Sequence, residues 1–396
     1  MAAIEPEFSF LYIIAPVTMN NFLQQYYEKR VLHVRHPPQY YAHLLSIDDI
    51  ETFLRLRPPH SSRVIGTNAR NPISRQRYSR SDGRIDVEQL LTAYSQGTSF
   101  VLRQMQDNLI ALRNLCAGGG QLFNCRFQAN IYVSPPVAQG SDLHHDTHDV
   151  FVIQIQGAKL WTIYTPVVPL PLEDQMLDPS TREEDLTLAG EYLVEEGDLL
   201  YIPRGMPHKA TTGTTPSIHI ALGCLSFTWA DLLREAVESA FLREPLLREG
   251  LPPGFVTDPH KQNEVINRFQ ESLAKLSRAI EPTQAIERLS AKFFAGYPTR
   301  PSVQEAIQRN SYGEVAIDTL LRAARGLVYR LVENGGTIVL QTPSSSSVFC
   351  PLLRHALIFA LDSETFKPGE MPGLESVSEK LELARRLIAE GHVIRI

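Results

Sequence analysis

The ten residues Asp142–Phe151, DLHHDTHDVF, hold three histidines and three aspartates. Imidazole nitrogens and carboxylate oxygens are ligands for divalent first-row metals, so this crowding marks where chemistry should be sought. His144 and Asp146 form a His-x-Asp pair. On an extended strand, positions i and i+2 share a face, which would let both side chains converge on one point. Alone the pair is half a metal site, and in a chain with 12 histidines the spacing also arises by accident. His208 completes the set from GDLLYIPRGMPHKA, where the Gly197-Asp198 turn, the apolar run Leu199–Ile202 and the Pro203-Arg204-Gly205 break bring a histidine back at the start of the next strand. Two histidines and one carboxylate on one face of a metal leave three positions open, the arrangement with which non-haem Fe(II) oxygenases hold a co-substrate and O₂ together. Structural zinc would normally close its shell with thiolates. The four cysteines, Cys116, Cys125, Cys224 and Cys350, contain no CxxC pair and read as reduced thiols.

These residues need a scaffold that returns distant segments to one point. From Phe123 to Phe227 the chain reads as short β-rich runs punctuated by Pro and Gly: FQANIYV, DVFVIQI, LWTIY, YLVEEGDLLYI and SIHIALGCLSF. Several short strands without intervening helices indicate a sandwich or barrel. Thr165 to Ala189, rich in Pro, Asp and Glu, is a long loop between two of these strands, of the kind that forms lids or substrate contacts. Upstream, a helix is expected over Phe22–Lys29, a strand over Val31–Val34, a helix capped by Ser46 and running to Leu56, and helical structure from Asp86 to Leu115. Between Arg63 and Arg84 the pattern breaks into a loop with arginines at 63, 70, 75, 77, 80 and 84 against Asp82 alone, either a solvated surface or a basic lip toward an acidic substrate. After Trp229, apolar residues recur at helical spacing through Leu233 and Phe241, then through Val265, Phe269, Leu273 and Ile280. From about Tyr297, helices near 314–333, 351–361 and 376–390 with strands at 337–341 and 392–396 suggest a winged-helix-like unit.

Composition bounds the function. The chain has 396 residues, 43% hydrophobic and 21% charged, enough for two or three domains with real cores and too apolar for disorder. A net charge of −6 argues against a chain-wide nucleic-acid surface, and residues 301–396, with ten Lys and Arg against eleven Asp and Glu, favour protein contact over DNA binding. No run approaches the roughly 18 apolar residues of a membrane span. The first basic residue is Lys29, too late for a secretory signal, so a cytoplasmic protein is expected.

The run NIYVSPPVAQGSDLHHDTHDVFVIQIQGAKLWTIYTP, followed by EEGDLLYIPRGMPHKA, resembles the JmjC-type ribosomal oxygenases of the cupin-4 family, most strongly over Asn130–Gly223. The resemblance implies an α+β chain: a double-stranded β-helix (cupin/JmjC jelly roll) with its mixed α/β amino-terminal region over 1–228, a helical dimerisation segment over 229–296, and a winged-helix-like domain over 297–396. It makes His144, Asp146 and His208 the iron ligands and Lys159 the partner of the distal carboxylate of 2-oxoglutarate. A dicarboxylate entering a barrel needs such a fixed cation, because its buried charge is otherwise uncompensated. Tyr132 and Asn130, on the strand before the metal motif, match pocket positions near the co-substrate. Two positions depart from the pattern. Gly223 stands where some relatives have a serine that helps bind the co-substrate, and His148, placed by strand alternation on the face of His144 and Asp146, falls where relatives vary.

The expectation is therefore an Fe(II)- and 2-oxoglutarate-dependent oxygenase, using O₂ to hydroxylate an arginine- or histidine-type side chain of a ribosomal protein or other polypeptide. It would act as a homodimer, without binding DNA or membrane. The rivals are the same chemistry on a modified peptide or other natural product, and a catalytically silent cupin that binds a protein partner. The lack of a chromatin-type cysteine cluster disfavours histone demethylation.

Overall fold

The computed structural model describes residues 10–56, 58–69, 71–297, 315–324, 327–343 and 345–396. Arg70 lies outside them, as do residues 298–314. The chain divides into two units, the first in the main Met1–Ser226 and the second from Phe227.

The first unit opens with α1 (Phe10–Ile14), α2 (Met19–Gln25), β1 (Leu32–Val34) and α3 (Ile47–Arg55). The start of α3 follows from chemistry: the Ser46 hydroxyl accepts from Asp49 N–H while the Asp49 carboxylate accepts from Ser46 N–H. The arginine-rich stretch is partly structured. It contains β2 (Val64–Thr67) and a 3₁₀ turn at Arg75–Tyr78, and Arg63 pairs with Asp107. The region expected to be helical from 86 to 115 is instead α4 (Val87–Ser95), β3 (Ser99–Leu102) and, after a 3₁₀ turn, α5 (Ile110–Phe123). The run Ser-Phe-Val-Leu is buried at every position, and burial on both faces removes the alternation that would have marked a strand.

Then come β4 (Arg126–Ser134), β5 (Asp149–Gln156), β6 (Lys159–Tyr164), β7 (Leu188–Val194), β8 (Leu199–Ile202), β9 (His208–Thr212) and β10 (Ser217–Leu225). They form a seven-stranded sheet in the order β1-β8-β5-β10-β4-β3-β2 and a three-stranded sheet β7-β6-β9. Side-chain alternation along β10 shows what the sheets do. Ile218, Ile220, Leu222 and Cys224 join an outer core with Phe10, Phe22 and Phe151, whereas His219, Ala221 and Gly223 fall on the opposite face. On that face Val150 and Val152 of β5 meet Trp161 and Ile163 of β6 in a second core, closed by Val194, Leu200 and Ile202. This interior between the two sheets is where polar residues on β4, β6, β9 and β10 face one another.

The second unit begins with α6 (Trp229–Arg243), capped by Thr228 and Asp231 in the same reciprocal way, then α7 (Pro259–Ala279) and α8 (Pro282–Gly296). Helices α6 and α8 are joined by Glu235, which is 2% exposed and ion-paired with Arg288 and Lys292. Helix α7 has no buried residue at all over its 21 positions. Beyond it, β11 (Leu321–Ala323) pairs with the terminal strand Val393–Arg395, and β12 (Arg330–Asn334), β13 (Thr337–Gln341) and β14 (Ser346–Phe349) form a meander next to helices over Arg354–Asp362 and Val377–Ala389. The helix expected over 314–333 is absent among the described residues. Gly335 and Gly336, both at positive φ, fold β12 back on β13 with Asn334 opposite Thr337, and β-branched residues on both strands satisfy the sheet. No helix among the described residues is long and apolar enough to cross a membrane.

Candidate metal centre and the pocket beneath it

His144, Asp146 and His208 come together, with one ligand-type atom from each lying within 4.8 Å of the others. The route differs from the strand alternation expected. Residues 141–148 are irregular, and His144 is aligned by an isolated antiparallel bridge to His208, with His208 N–H donating to His144 O at 2.8 Å and His144 N–H to His208 O at 3.3 Å. The Asp146 carbonyl is fixed by the N–H of Gly205 at 2.9 Å. Proline and glycine before His208 therefore matter as much as the His-x-Asp spacing, because that turn carries both His208 and a hold on Asp146.

Both imidazoles are oriented through Nδ1. His144 Nδ1 donates to Asp142 O at 2.8 Å and His208 Nδ1 to Met206 O at 3.0 Å, leaving each Nε2 lone pair free for a metal. Burial, and then the neighbouring His144, lower His208 to about 4, so its ring is neutral and ready to ligate. His208 Nε2 lies 3.8 Å from Asp146 Oδ2. Two imidazole nitrogens and one carboxylate, with no thiolate, suit Fe(II).

Beneath the triad, Lys159 begins β6 and is 4% exposed. Its Nζ donates to Ser134 Oγ at 2.9 Å, and that same oxygen also accepts from Ser99 Oγ at 2.9 Å. Around it the Tyr132 ring lies 5.9 Å from Nζ, and the His219 ring stacks on Tyr132 with centroids 4.7 Å apart. His219 Nδ1 and Trp161 Nε1 are buried without partners. A desolvated ammonium with one neutral acceptor, flanked by unpartnered polar atoms, is a poor site when empty and a good one around a carboxylate. The residues present thus fit the distal carboxylate of a 2-oxo diacid. Burial pushes Lys159 down to about 7 and, with the charge on Lys159, holds His219 well below the usual imidazole range.

Asn130 sits on the same face of β4 as Tyr132, but its Oδ1 is engaged by Gln104 N–H at 3.0 Å and Gln128 Nε2 at 3.3 Å. Arg204, a conceivable alternative cation, is spent on Glu28, 2.7 Å away. His148 lies outside any strand, and its ring stands over Gly223: a Cβ there would come within 2.8 Å of it. The two departures from the family pattern are thus one feature, a histidine filling the space left by a missing side chain. Beside His144 a cavity of about 510 Å³ opens, lined by Leu143, Met176, Leu177, Glu183 and Lys209. Its outer wall is the segment between β6 and β7. Ser134, His219 and Trp161 escaped sequence reasoning. Extending the Asn130–Tyr132 alternation by two residues would have found Ser134, whereas a histidine inside SIHIALG reads as ordinary strand.

Residues 114–232 match the JmjC domain. The bifunctional lysine-specific demethylase and histidyl-hydroxylase NO66 of Aedes aegypti is 32% identical over 270 residues, covering 67% of this chain and 42% of that protein. Its counterpart from Culex quinquefasciatus is 27% identical over 370 residues, covering 90% and 55%. The chain thus spans about half the length of the curated relatives it matches. Among solved structures, YcfD, a ribosomal oxygenase from Escherichia coli in complex with cobalt and 2-oxoglutarate, superposes with a TM-score of 0.52 at 15% identity over 96% of this chain and 98% of that one. At that identity the likeness is one of fold.

Proposed function

Starting from a chain that carries a JmjC domain, we propose that it is an Fe(II)- and 2-oxoglutarate-dependent hydroxylase of a protein side chain. The observation that carries the reading is the His144–Asp146–His208 triad above the buried Lys159 ammonium. The names of the relatives, and the 2-oxoglutarate bound by YcfD, support it. Bound iron with 2-oxoglutarate and O₂ supplies the oxidant that converts a C–H to a C–OH, 2-oxoglutarate leaving as succinate and CO₂. His144, Asp146 and His208 would hold the metal on one face and leave the opposite positions for the co-substrate and O₂. Lys159, with Ser134 beside it, would neutralise the distal carboxylate and so fix the 2-oxo end toward the metal. Val150, Val152 and Ile202, buried in the apolar core between the sheets, would keep water from this chamber.

The substrate is proposed to be an arginine- or histidine-type side chain of a ribosomal protein or other polypeptide, entering by the cavity beside His144. The test is anaerobic titration of the iron-loaded protein with 2-oxoglutarate, where a metal-to-ligand absorption band must appear and be lost in His144→Ala and Asp146→Ala. Mass spectrometry of ribosomal peptides incubated with the enzyme, seeking a gain of one oxygen, then identifies the target. No band, or an undiminished band in both variants, overturns the metal assignment.

A homodimer belongs to the same proposal, with 229–296 as the dimerisation segment and 297–396 as a winged-helix-like protein-contact domain that does not bind DNA. Its support is α7, where Ile266 and Phe269 are 64% and 56% exposed and no residue is buried. A cytoplasmic setting is proposed from the cysteine spacing, which holds no CxxC pair.

A further inference from the structure

The segment 165–187 between β6 and β7 touches the chain next to every metal ligand. His145, lying between His144 and Asp146, is 0% exposed, and its Nε2 lies 2.8 Å from Gln175 O. A carbonyl only accepts, so Nε2 carries the proton and the ring is held in one orientation. Lys209, directly after His208, pairs with Glu183 at 2.5 Å, and the Tyr164 hydroxyl donates to the other Glu183 oxygen. Arg204, in the turn leading to His208, donates to Pro171 O at 3.1 Å. Gly205, whose N–H holds the Asp146 carbonyl, has a φ of +84° and lies so close to the segment that a Cβ would meet Pro171 Cδ at 2.5 Å and Val168 O at 2.8 Å.

The ligand-bearing pieces are themselves weakly constrained. Residues 141–148 have no ladder beyond the single bridge at His144, and His208 stands at the very start of its strand. Metal ligands must be held to within a fraction of an ångström, and that rigidity has to come from neighbours. We propose that segment 165–187 is a strap that fixes the metal triad, with His145 as its main positioning residue and the Lys209–Glu183 pair as its outer anchor. Met176, Leu177 and Glu183 of the same segment line the cavity beside His144, so an incoming peptide presses on the part that holds the metal ligands. This rests on the metal reading above.

The test uses Co(II) alone as probe, read by its visible ligand-field spectrum and by titration of the intact 396-residue chain. His145→Leu keeps an apolar filling but removes the donor to Gln175; it should weaken Co(II) binding about 10- to 100-fold and alter the spectrum. His145→Gln, whose amide N–H can reach the same carbonyl, should recover part of the loss. An unchanged affinity and spectrum in His145→Leu overturns the strap. Should that variant fail to fold, the half-exposed arm decides: Lys209→Met combined with Glu183→Gln must weaken Co(II) at least about threefold, and a smaller change overturns the proposal. Wild-type protein that binds no Co(II) sensitive to His208→Ala overturns the metal reading and the strap together, whereas wild-type binding with indifferent strap variants overturns the strap alone.

Discussion

Lys159 is the buried cation of the proposed 2-oxoglutarate site. Its ammonium is desolvated with a single serine partner, which is why its affinity for a proton drops to about 7 from the usual 10.5. A carboxylate guest restores the charged form, so Lys159→Met should raise the 2-oxoglutarate dissociation constant by about 10- to 100-fold, as expected for a charge-assisted hydrogen bond worth about 1.5–3 kcal/mol, and leave metal affinity unchanged. Calorimetric titration with and without 2-oxoglutarate separates the two. The sign of the pH dependence follows. Below pH 7 the lysine is charged before the ligand arrives, and above it each binding event must take up a proton, so affinity should fall by up to tenfold per pH unit between 7 and 9. Lys159→Met should abolish that slope. Folding carries the opposite trend from the same group: the unfolded chain holds the proton up to 10.5, so this residue's contribution to stability rises with pH between 7 and 10.5.

Strands and loops decide how much room those residues have. Because His148 occupies the place of a side chain at 223, Gly223→Ala should cost about 1–3 kcal/mol of stability by overpacking, and the cost should shrink to within about 0.5 kcal/mol in a His148→Ala background. Denaturant unfolding of the two singles and the double measures that coupling; equal costs in both backgrounds would contradict it. The elements themselves were legible in proportion to how locally they are encoded. Ser46 announces α3 by its cap, and DVFVIQI and SIHIALGCL read as strands because β-branched residues crowd them. The strand β3 was hidden because both its faces are buried, and β12 because only Gly335 and Gly336 tell a hairpin from a continuing helix. That His144, Asp146 and His208 belong together was legible from their residue types, but not how they meet. That depends on a bridge and a turn contact joining residues more than fifty positions apart, which no spacing rule contains.

For the whole molecule, the question is what covers α7. None of its 21 residues is buried: Val265, Leu276 and Ala279 are half-buried within their own unit, whereas Ile266, Phe269 and Leu273 stand exposed, and it is these three that the proposed dimer would cover. Light scattering at micromolar concentration should give twice the chain mass, and Phe269→Asp with Leu273→Asp should return the monomer without unfolding the JmjC unit; monomer mass for the wild type would contradict the dimer. An association of this kind ties the helix to mass action, because partner burial then enters its stability as a concentration. The consequence appears in amide exchange. In dilute protein the backbone amides of His260–Ala279 should exchange orders of magnitude faster than those of β5 and β10, whose strands are buried on both sides, and protection along α7 should climb as the protein is concentrated while the sheet amides stay where they were. Isotope uptake over a dilution series would thereby read the assembly constant from one helix.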